Sequence, residues 1–280
     1  MIDLSPEMQR CFPEPGSFEK VLEAEGDVVR AKEGRRTFRF EFEGKGYFAK
    51  VHLGIGWGEV FKNLTQFRCP VVDASNEWKA VSLLESVGVE TVSLVGKGAR
   101  GANPAKRQSF VIMDELKEKV ELEDFMKEYG GLTGSKRLKL KRTLVRQVAD
   151  IGRRMHGAGM NHRDFYLCHF HIGERDWSTW TEDQKIRLPL LDLHRAQIRG
   201  KVPHRWLAKD LGALFYSAID CGITDRDMVA FLRGYLGEQW KSELKKDAAL
   251  WDSVVSRARG FYRKHRGKLP VLPGVFANLP

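Results

Sequence analysis

The spacing of apolar residues changes part-way along this chain, and that change restricts the possible folds more than any other feature. From Thr37 to Phe42 apolar and polar residues alternate, which is typical of a half-buried β-strand. From Leu138 to His156 the apolar residues recur at helical spacing instead. Strands followed by helices predict an α+β chain with two lobes, an antiparallel-sheet N-lobe and a mainly helical C-lobe.

Glycine turns subdivide the strand-rich part. Glu33-Gly34 and Glu43–Gly46 separate three consecutive strands, which predicts an antiparallel meander. Residues 54–70 are predicted to be irregular because they carry several glycines. Further strands are predicted at 92–95 and 110–113, and helices at 74–87, 207–218, 225–235 and 248–264. The predicted organisation is a lead-in at 1–25, an N-lobe at 26–115 and a C-lobe at 116–280.

The chain is strongly basic, with a formal net charge of +10 over 280 residues. The excess positive charge is concentrated at Arg35, Arg36 and Arg39 and in the segments 136–146 and 257–268. Such a surface attracts a polyanion: nucleic acid, an anionic membrane or a phosphorylated glycolipid. The alternative is a solvated basic surface that only keeps the protein soluble.

Targeting and redox features are sparse. No stretch approaches the roughly 20 apolar residues that are needed to span a bilayer. The first residues lack a basic start followed by an apolar run, so we expect no secretory signal. The cysteines show no paired spacing, which favours a reduced, cytosolic chain; they are Cys11, Cys69, Cys168 and Cys221.

The strongest chemical motif is Asn161–Phe170, which reads NHRDFYLCHF. It resembles the protein-kinase catalytic loop, H-R-D-x-x-x-x-N, with His169 at the position of the asparagine. Phosphoryl transfer needs a carboxylate that orients the attacking hydroxyl and accepts its proton, and Asp164 is the predicted residue. The alternative is a chance tripeptide in which Asp164 only caps a turn.

Three further residues occur in the order that a kinase requires. Lys50 lies on a strand and resembles the lysine that binds the α and β phosphates, and Glu77 on the next helix is predicted to hold its rotamer. Asp192 directly follows an apolar strand and is predicted to bind Mg²⁺. Taken singly, Lys50 could be a solvated edge-strand charge and Asp192 a turn residue.

Other residues are also predicted to contact the nucleotide, but the sequence signals for them are less specific. Gly34 and Arg35 form the turn expected to cover the phosphates, although a solvated surface explains Arg35 equally well. Met113 and Glu115, at the end of the last N-lobe strand, complete the predicted nucleotide contacts. We expect Asp210, which lies near the start of a helix, to anchor the catalytic loop rather than to take part in the chemistry.

His169 has two interpretations within the kinase hypothesis. It is a tentative Mg²⁺ ligand, or it orients Asp164 through a hydrogen bond; imidazole is a poorer Mg²⁺ ligand than oxygen, which favours the second role. A zinc site built from His162, Cys168, His169 and His171 is a weaker alternative, because the spacing fits no standard zinc pattern.

Two signatures of ordinary protein kinases are missing from the sequence. No clear G-x-G-x-x-G loop is present, and no A-P-E segment follows the catalytic motif. These differences favour a kinase of small molecules or glycans.

Several segments together resemble the bacterial lipopolysaccharide core heptose kinases. They are GYFAKVHLGIGWGE at 46–59, NEW at 76–78, MHGAGMNHRD at 155–164 with CHF at 168–170, and LDLHRAQ at 191–197. The resemblance implies that ATP and Mg²⁺ are used to phosphorylate the first heptose of the inner-core glycolipid. It implies a peripheral position at the cytoplasmic face of the bacterial inner membrane, acyl carrier protein as a partner, and no nucleic-acid partner.

Other functions stay open at this point. The acceptor could be 3-deoxy-octulosonate or a protein tyrosine, and a non-catalytic kinase-like module bound to a membrane would share the fold. Within 54–59, Trp57 could stack on a sugar of the acceptor, or the segment could be only a packing turn.

Overall fold

The computed structural model of this chain describes residues 1–32, 34–65, 71–117, 119–129, 134–173, 180–181 and 184–277. The chain divides into two compact units. Unit 1 contains Met1–Ser82, Val92–Lys117 and Asp192–Arg195, and unit 2 contains Leu83–Thr91, Glu118–Leu191 and Ala196–Pro280. The main division near residue 117 lies close to the predicted lobe boundary, but both units are discontinuous in sequence.

Unit 1 is built on a six-stranded antiparallel sheet. Its strands are β1 (Ile2–Leu4), β2 (Asp27–Lys32), β3 (Arg35–Phe42), β4 (Lys45–His52), β5 (Leu94–Arg100) and β6 (Gln108–Asp114). Their spatial order is β1-β5-β6-β4-β3-β2. The predicted meander corresponds to β2, β3 and β4 and is confirmed, while β1 adds the N-terminal residues to the far edge.

Helices accompany this sheet in unit 1, and the last of them carries Glu77 of the site. They are α1 (Pro6–Cys11), α2 (Ser17–Glu23) and α3 (Gly56–Thr65), together with most of α4 (Ser75–Ser86). Met8 and Val21 from the first two helices are fully buried against the sheet residues Phe38 and Phe110.

The prediction of irregular structure at 54–70 is wrong for 56–65, which form α3. Gly56 and Gly58 lower the helix propensity of the first turn and obscure the helical spacing of Val60, Phe61 and Leu64. Residues 66–70 lie outside the described residues, as does Glu33 of the first predicted turn.

Unit 2 is mainly helical, as the α+β class predicts. Its helices are α5 (Leu122–Tyr129), α6 (Ser135–Gly157), α7 (His204–Ala218), α8 (Asp225–Leu236), α9 (Trp240–Lys246), α10 (Ala248–Arg266) and α11 (Gly274–Ala277). Two short antiparallel pairs accompany them: β7 (Lys119–Glu121) with β9 (His171–Gly173), and β8 (Met160–Asn161) with β10 (Gln197–Ile198).

The core of unit 2 forms where α7, α8 and α10 meet, with Leu211, Leu232 and Trp251 almost inaccessible to solvent. The long helices α6 and α10 carry charged residues along their outer faces. In the described part of the chain, no helix is both long and apolar enough to cross a membrane.

Candidate active site

A buried ion pair marks the first part of the candidate site, in unit 1. Lys50 lies in the middle of β4 between Thr37 of β3 and Val111 of β6. Its Nζ lies 2.5 Å from Oε1 of Glu77 on α4, and the two side chains are only 22% and 4% exposed. Because one partner comes from the sheet and the other from a helix, the pair fixes the lysine rotamer as the kinase hypothesis requires.

The same unit contains a cavity of about 330 Å³ on which this pair opens. Asp192 and His194 also line it, so the structure brings three predicted residues, Lys50, Glu77 and Asp192, to one place. The wall is rich in cations, with Arg30, Lys32, Arg35 and Arg36. A concave site of this size with convergent positive charge suits a polyphosphate.

The turn before β3 lies beside this cavity, because Lys32 and Arg35 line it, although Gly34 itself is not among its described lining residues. Gly34 has a φ of +73°, and a Cβ there would lie 2.2 Å from the carbonyl oxygen of Gly54. The amide of Leu53 donates to the carbonyl of Gly34 at 2.7 Å. Arg35 lines the cavity, and its guanidinium donates to the carbonyl oxygen of Val71. Gly34 therefore has a backbone reason to be glycine, and Arg35 is held at the cavity by a main-chain contact.

Asp192 has the backbone and side-chain geometry of a constrained functional residue. Its φ is +61°, in the left-handed region that non-glycine residues rarely adopt. His194 Nδ1 lies 2.6 Å from Oδ1 of Asp192, which orients the carboxylate. Mg²⁺ takes one or two protein carboxylates and completes its shell with water and phosphate oxygens. Glu59 and Glu77 also line the cavity, and since Glu77 is paired with Lys50, the Asp192 carboxylate fits this ion.

Met113 and Glu115 have other contacts in the structure. Met113 is 5% exposed and packs in a cluster with Ala74 and Trp78. Glu115 accepts a hydrogen bond of 2.6 Å from Arg39, which lowers the pKa of that carboxyl. Neither residue is among the described residues that line the cavity, and their nucleotide contacts stay predictions.

The second part of the candidate site is the catalytic-loop motif, in unit 2. Asp210 of α7 is completely buried and accepts hydrogen bonds from the backbone amides of His162 at 2.6 Å and Arg163 at 2.8 Å. The predicted anchoring role of Asp210 is thereby confirmed. Arg163 has a φ of +76°, so the loop that presents Asp164 is held in a conformation that a free chain would avoid.

His169 contacts the backbone next to the predicted base. Its Nδ1 lies 2.6 Å from the main-chain oxygen of Asp164, and its ring stacks on His162 with centroids 5.5 Å apart. His162 in turn lies 2.9 Å from the carbonyl oxygen of Leu191 through Nε2. His169 therefore restrains the position of Asp164 through the main chain.

The zinc hypothesis finds no support in the part of the chain that the structure describes. Within it, no group of three or more histidine, cysteine, aspartate or glutamate side chains is arranged to hold a metal ion.

Sequence reasoning missed three residues that support the site, namely His156, Tyr235 and His52. His156, near the end of α6, lies 2.8 Å from the hydroxyl of Tyr235 and 3.4 Å from Asp210. His52, two residues after Lys50, is a buried member of the cavity wall. Its position in β4, on the same face as Lys50, was the signal that could have identified it.

Comparison with known proteins assigns the chain to a family. Residues 19–235 match the model of the "Lipopolysaccharide kinase (Kdo/WaaP) family". A relative named lipopolysaccharide core heptose(I) kinase WaaP, from Pseudomonas aeruginosa, is 44% identical over 250 residues, covering 89% of this chain and 91% of the relative. The protein of the same name from Escherichia coli K12 is 41% identical over 260 residues, covering 92% and 94%.

A solved structure agrees with these sequence relatives. The structure described as WaaP in complex with acyl carrier protein superposes with a TM-score of 0.79 at 37% identity, covering 94% of this chain and 99% of that one. The predicted kinase-like α+β fold is confirmed by this neighbour. The chain belongs to the lipopolysaccharide kinase (Kdo/WaaP) family.

Proposed function

We propose that this chain is an ATP-dependent kinase that phosphorylates a hydroxyl of the first heptose of the lipopolysaccharide inner core. The observation that carries the proposal is the buried Lys50–Glu77 pair in a cavity that Asp192 also lines, in a chain whose relatives are named heptose(I) kinases. A positively charged cavity with a fixed lysine and a carboxylate oriented by a histidine is what a magnesium–nucleotide complex needs.

The residues of unit 1 are proposed to bind the nucleotide phosphates. Lys50 donates to the α and β phosphates, and Glu77 keeps its ammonium group in place. Asp192 would hold Mg²⁺, which supplies neutralisation of the phosphate charge when bound. His194 keeps the Asp192 carboxylate oriented through its 2.6 Å contact.

The catalytic loop of unit 2 is proposed to act on the acceptor. The heptose hydroxyl oxygen forms a bond to the γ-phosphorus, while the bond from that phosphorus to the β,γ-bridging oxygen breaks and ADP leaves. Asp164 orients the hydroxyl and accepts its proton. Asp210 and His169 position Asp164 through its loop backbone.

The experiment that tests this function measures ADP formation and the mass of the product saccharide, with purified protein, ATP and unphosphorylated core glycolipid. Because general base catalysis contributes roughly 10² to 10⁴ in rate, Asp164→Asn is expected to lower kcat at least about a hundredfold. Asp252→Asn, on the exposed face of α10, is the matched control and should retain wild-type activity. Equal turnover by the Asp164 variant and the wild type would reject the assigned base.

The acceptor panel also separates the remaining alternatives. Phosphate found on 3-deoxy-octulosonate or on a tyrosine peptide, and none on heptose, would replace the proposed acceptor. A folded protein that consumes no ATP with any of these acceptors would instead be a non-catalytic binding module.

Acyl carrier protein is proposed as a partner, and the cytoplasmic face of the inner membrane as the place of action. The solved neighbour is described as a complex with this carrier, and an acidic partner would be complementary to a chain with a net charge of +10. Unit 2 also encloses an apolar cavity with Leu122, Leu144 and Phe215 in its wall. Its volume is about 70 Å³, and the end of an acyl chain delivered by the carrier has the chemistry to fill it.

A further inference from the structure

A groove between two helices of unit 2 is lined by four arginines. Its volume is about 480 Å³; α6 contributes Arg142 and Arg146 to its wall, and α8 contributes Arg226 and Arg233. Arg142 is half-buried and the other three are exposed. These four residues and the space between them are called the arginine groove below.

The spacing of the wall residues places them on one side of each helix. On α8 they are Arg226, Val229, Ala230 and Arg233, which is the i, i+3, i+4, i+7 pattern of a single helix face. The two arginines of α6 are four residues apart and share a face for the same reason. The groove is therefore formed by two matched helix faces, and on α8 two small apolar residues lie between the arginines.

Gly234 allows the two helices to approach closely beside this groove. A Cβ at Gly234 would lie 2.8 Å from the Cβ of Ala149 and 3.4 Å from the main-chain oxygen of Arg146, both on α6. A larger residue there would push α8 away from α6. Because Arg233 directly precedes Gly234, the close approach brings the backbone of Arg233 near that of Arg146.

The side chains of the four arginines form no hydrogen bond or ion pair with any residue in the described part of the chain. Other cations on α6 are paired: Lys141 with Asp227, and Arg153 with Asp150. The arginines of the groove thus differ from their neighbours on the same helix in keeping an uncompensated charge.

One carboxylate, that of Asp225, is among the described residues that line the groove. Its Oδ1 accepts a hydrogen bond of 2.9 Å from the main-chain amide of Val275. Four positive charges against one negative charge leave the wall with an excess of positive charge. Like charges in one wall repel each other, and an anion that enters from outside the chain relieves this repulsion.

The chemistry and the extent of the wall select the kind of anion. A guanidinium group presents planar pairs of donors that match the oxygens of a phosphate. Arg226 and Arg233 are seven residues apart, which is roughly 10 Å along a helix axis. A single phosphate group does not extend over that distance, so several phosphates side by side are needed to occupy the whole groove.

We propose that the arginine groove binds the phosphate groups of an anionic lipid surface. Such a surface presents many phosphates next to one another, whereas a soluble phosphate presents one. The groove shares no residue with the cavity of unit 1, to which the nucleotide phosphates are assigned. This inference rests on the proposed position at the membrane, which it deepens, and it uses none of the proposed phosphoryl transfer.

The test measures binding to lipid without turnover. The full-length chain is sedimented with vesicles of phosphatidylcholine alone or of phosphatidylcholine mixed with phosphatidylglycerol, and we expect binding to the mixed vesicles. Arg146→Gln/Arg233→Gln should weaken that binding about thirtyfold, because each cation near an anionic surface is worth roughly a factor of five in affinity. Circular dichroism checks that this variant, changed only at exposed positions, keeps its helices.

The matched control is Arg153→Gln/Arg259→Gln. It removes the same charge from exposed positions on α6 and α10 that lie outside the groove. Its binding to the mixed vesicles should stay close to that of the wild type, because the local wall and not the net charge is proposed to hold the lipid.

Soluble ligands test the source of the phosphate. Inorganic phosphate and glycerol phosphate are each compared with sodium chloride at equal ionic strength, and should displace the wild type from vesicles no better than the salt does. In turnover with a deacylated acceptor, which needs no vesicle, the groove variant should keep the kcat of the wild type.

Three results would overturn the inference. They are equal vesicle binding by the groove variant and the control variant, displacement by soluble phosphate far better than by salt, and retained vesicle binding together with weaker binding to acyl carrier protein, which would make the groove a protein-docking surface. A wild type that binds vesicles through the groove but phosphorylates no acceptor would reject the proposed function and leave this inference standing.

Discussion

At the scale of single residues, the fold changes the chemistry of His52. The imidazole is buried at the end of β4 beside Arg35 in the cavity of unit 1. Burial first, and then the positive charge of Arg35, lowers its pKa from 6.5 to about 4. His52 is therefore neutral at pH 7 and adds no further positive charge to a wall that already has several cations.

This pKa predicts how stability depends on pH. Below about pH 6.5 the unfolded chain binds a proton at His52, whereas the folded chain does not until about pH 4. The free energy of unfolding should therefore fall as pH decreases from 6.5 towards 4, by up to about 3 kcal/mol from this group. Urea unfolding at pH 7 and at pH 4.5 measures the difference.

His52→Gln should reduce that pH dependence, while His265→Gln, at an exposed position on α10, should retain it. In every variant His171 also adds a smaller contribution of the same sign to the pH dependence of the free energy of unfolding, because burial lowers its pKa too. An identical pH slope in wild type and His52→Gln would contradict the assignment.

At the scale of elements, α7 anchors the catalytic loop through Asp210. Asp210→Asn keeps the shape but replaces one acceptor oxygen with a donor facing backbone amides. Hydrogen bonds to a charged group are worth roughly 1.5–3 kcal/mol each, so we expect a loss of about 2–3 kcal/mol in the free energy of unfolding and a clear fall in kcat. Urea unfolding and steady-state kinetics measure the two effects.

The capping box of α8 provides a matched comparison. Thr224 caps that helix by accepting from the amide of Asp227, and Thr224→Ala should cost about 1 kcal/mol of stability with no change in kcat. The assignment of α7 as the support of the catalytic loop would be wrong if Asp210→Asn lowered the free energy of unfolding no more than Thr224→Ala does and left kcat unchanged.

At the scale of the whole molecule, charge and the apolar cavity of unit 2 predict the behaviour towards acyl carrier protein. The carrier loaded with an acyl chain should bind more tightly than the unloaded carrier, because only the loaded carrier offers an apolar chain end to this cavity of about 70 Å³. Raising the salt concentration from about 0.1 M to about 1 M shortens the Debye length from about 10 Å to about 3 Å. This change should weaken the binding of both the loaded and the unloaded carrier.

Size-exclusion chromatography and calorimetry with the two forms of the carrier measure these effects. An unrelated acidic protein of similar charge is the control for the electrostatic part. Equal affinity of the loaded and unloaded carrier would exclude the acyl chain as an occupant of the cavity, and binding that is insensitive to salt would exclude the role of charge.

The parts of the fold that could be predicted are those with a local signal. The meander of β2, β3 and β4 and the helix α6 follow from the period of apolar residues and from glycine turns. Helix α9 was missed because only Trp240 and Leu244 mark its apolar face. Strand β1 was missed because three residues become a strand only by pairing with β5, almost a hundred residues away.

For the candidate site, the order of the motifs identified four residues: Lys50, Glu77, Asp164 and Asp192. In the structure Lys50 and Glu77 form an ion pair, and Asp192 lines the same cavity. The supporting residues could not be predicted in this way. His156 and Tyr235 join positions that are 79 residues apart in the chain, without a motif of their own.

The sequence by itself determined the α+β class, the order of the chemical groups and the family resemblance, because periodicity and motifs depend on neighbours along the chain. Only the tertiary structure decided which side chains are buried, which charges are paired and which donors are left without acceptors. Burial and desolvation depend on residues that meet in space, and these set the pKa of His52 and the pairing of Lys50 with Glu77.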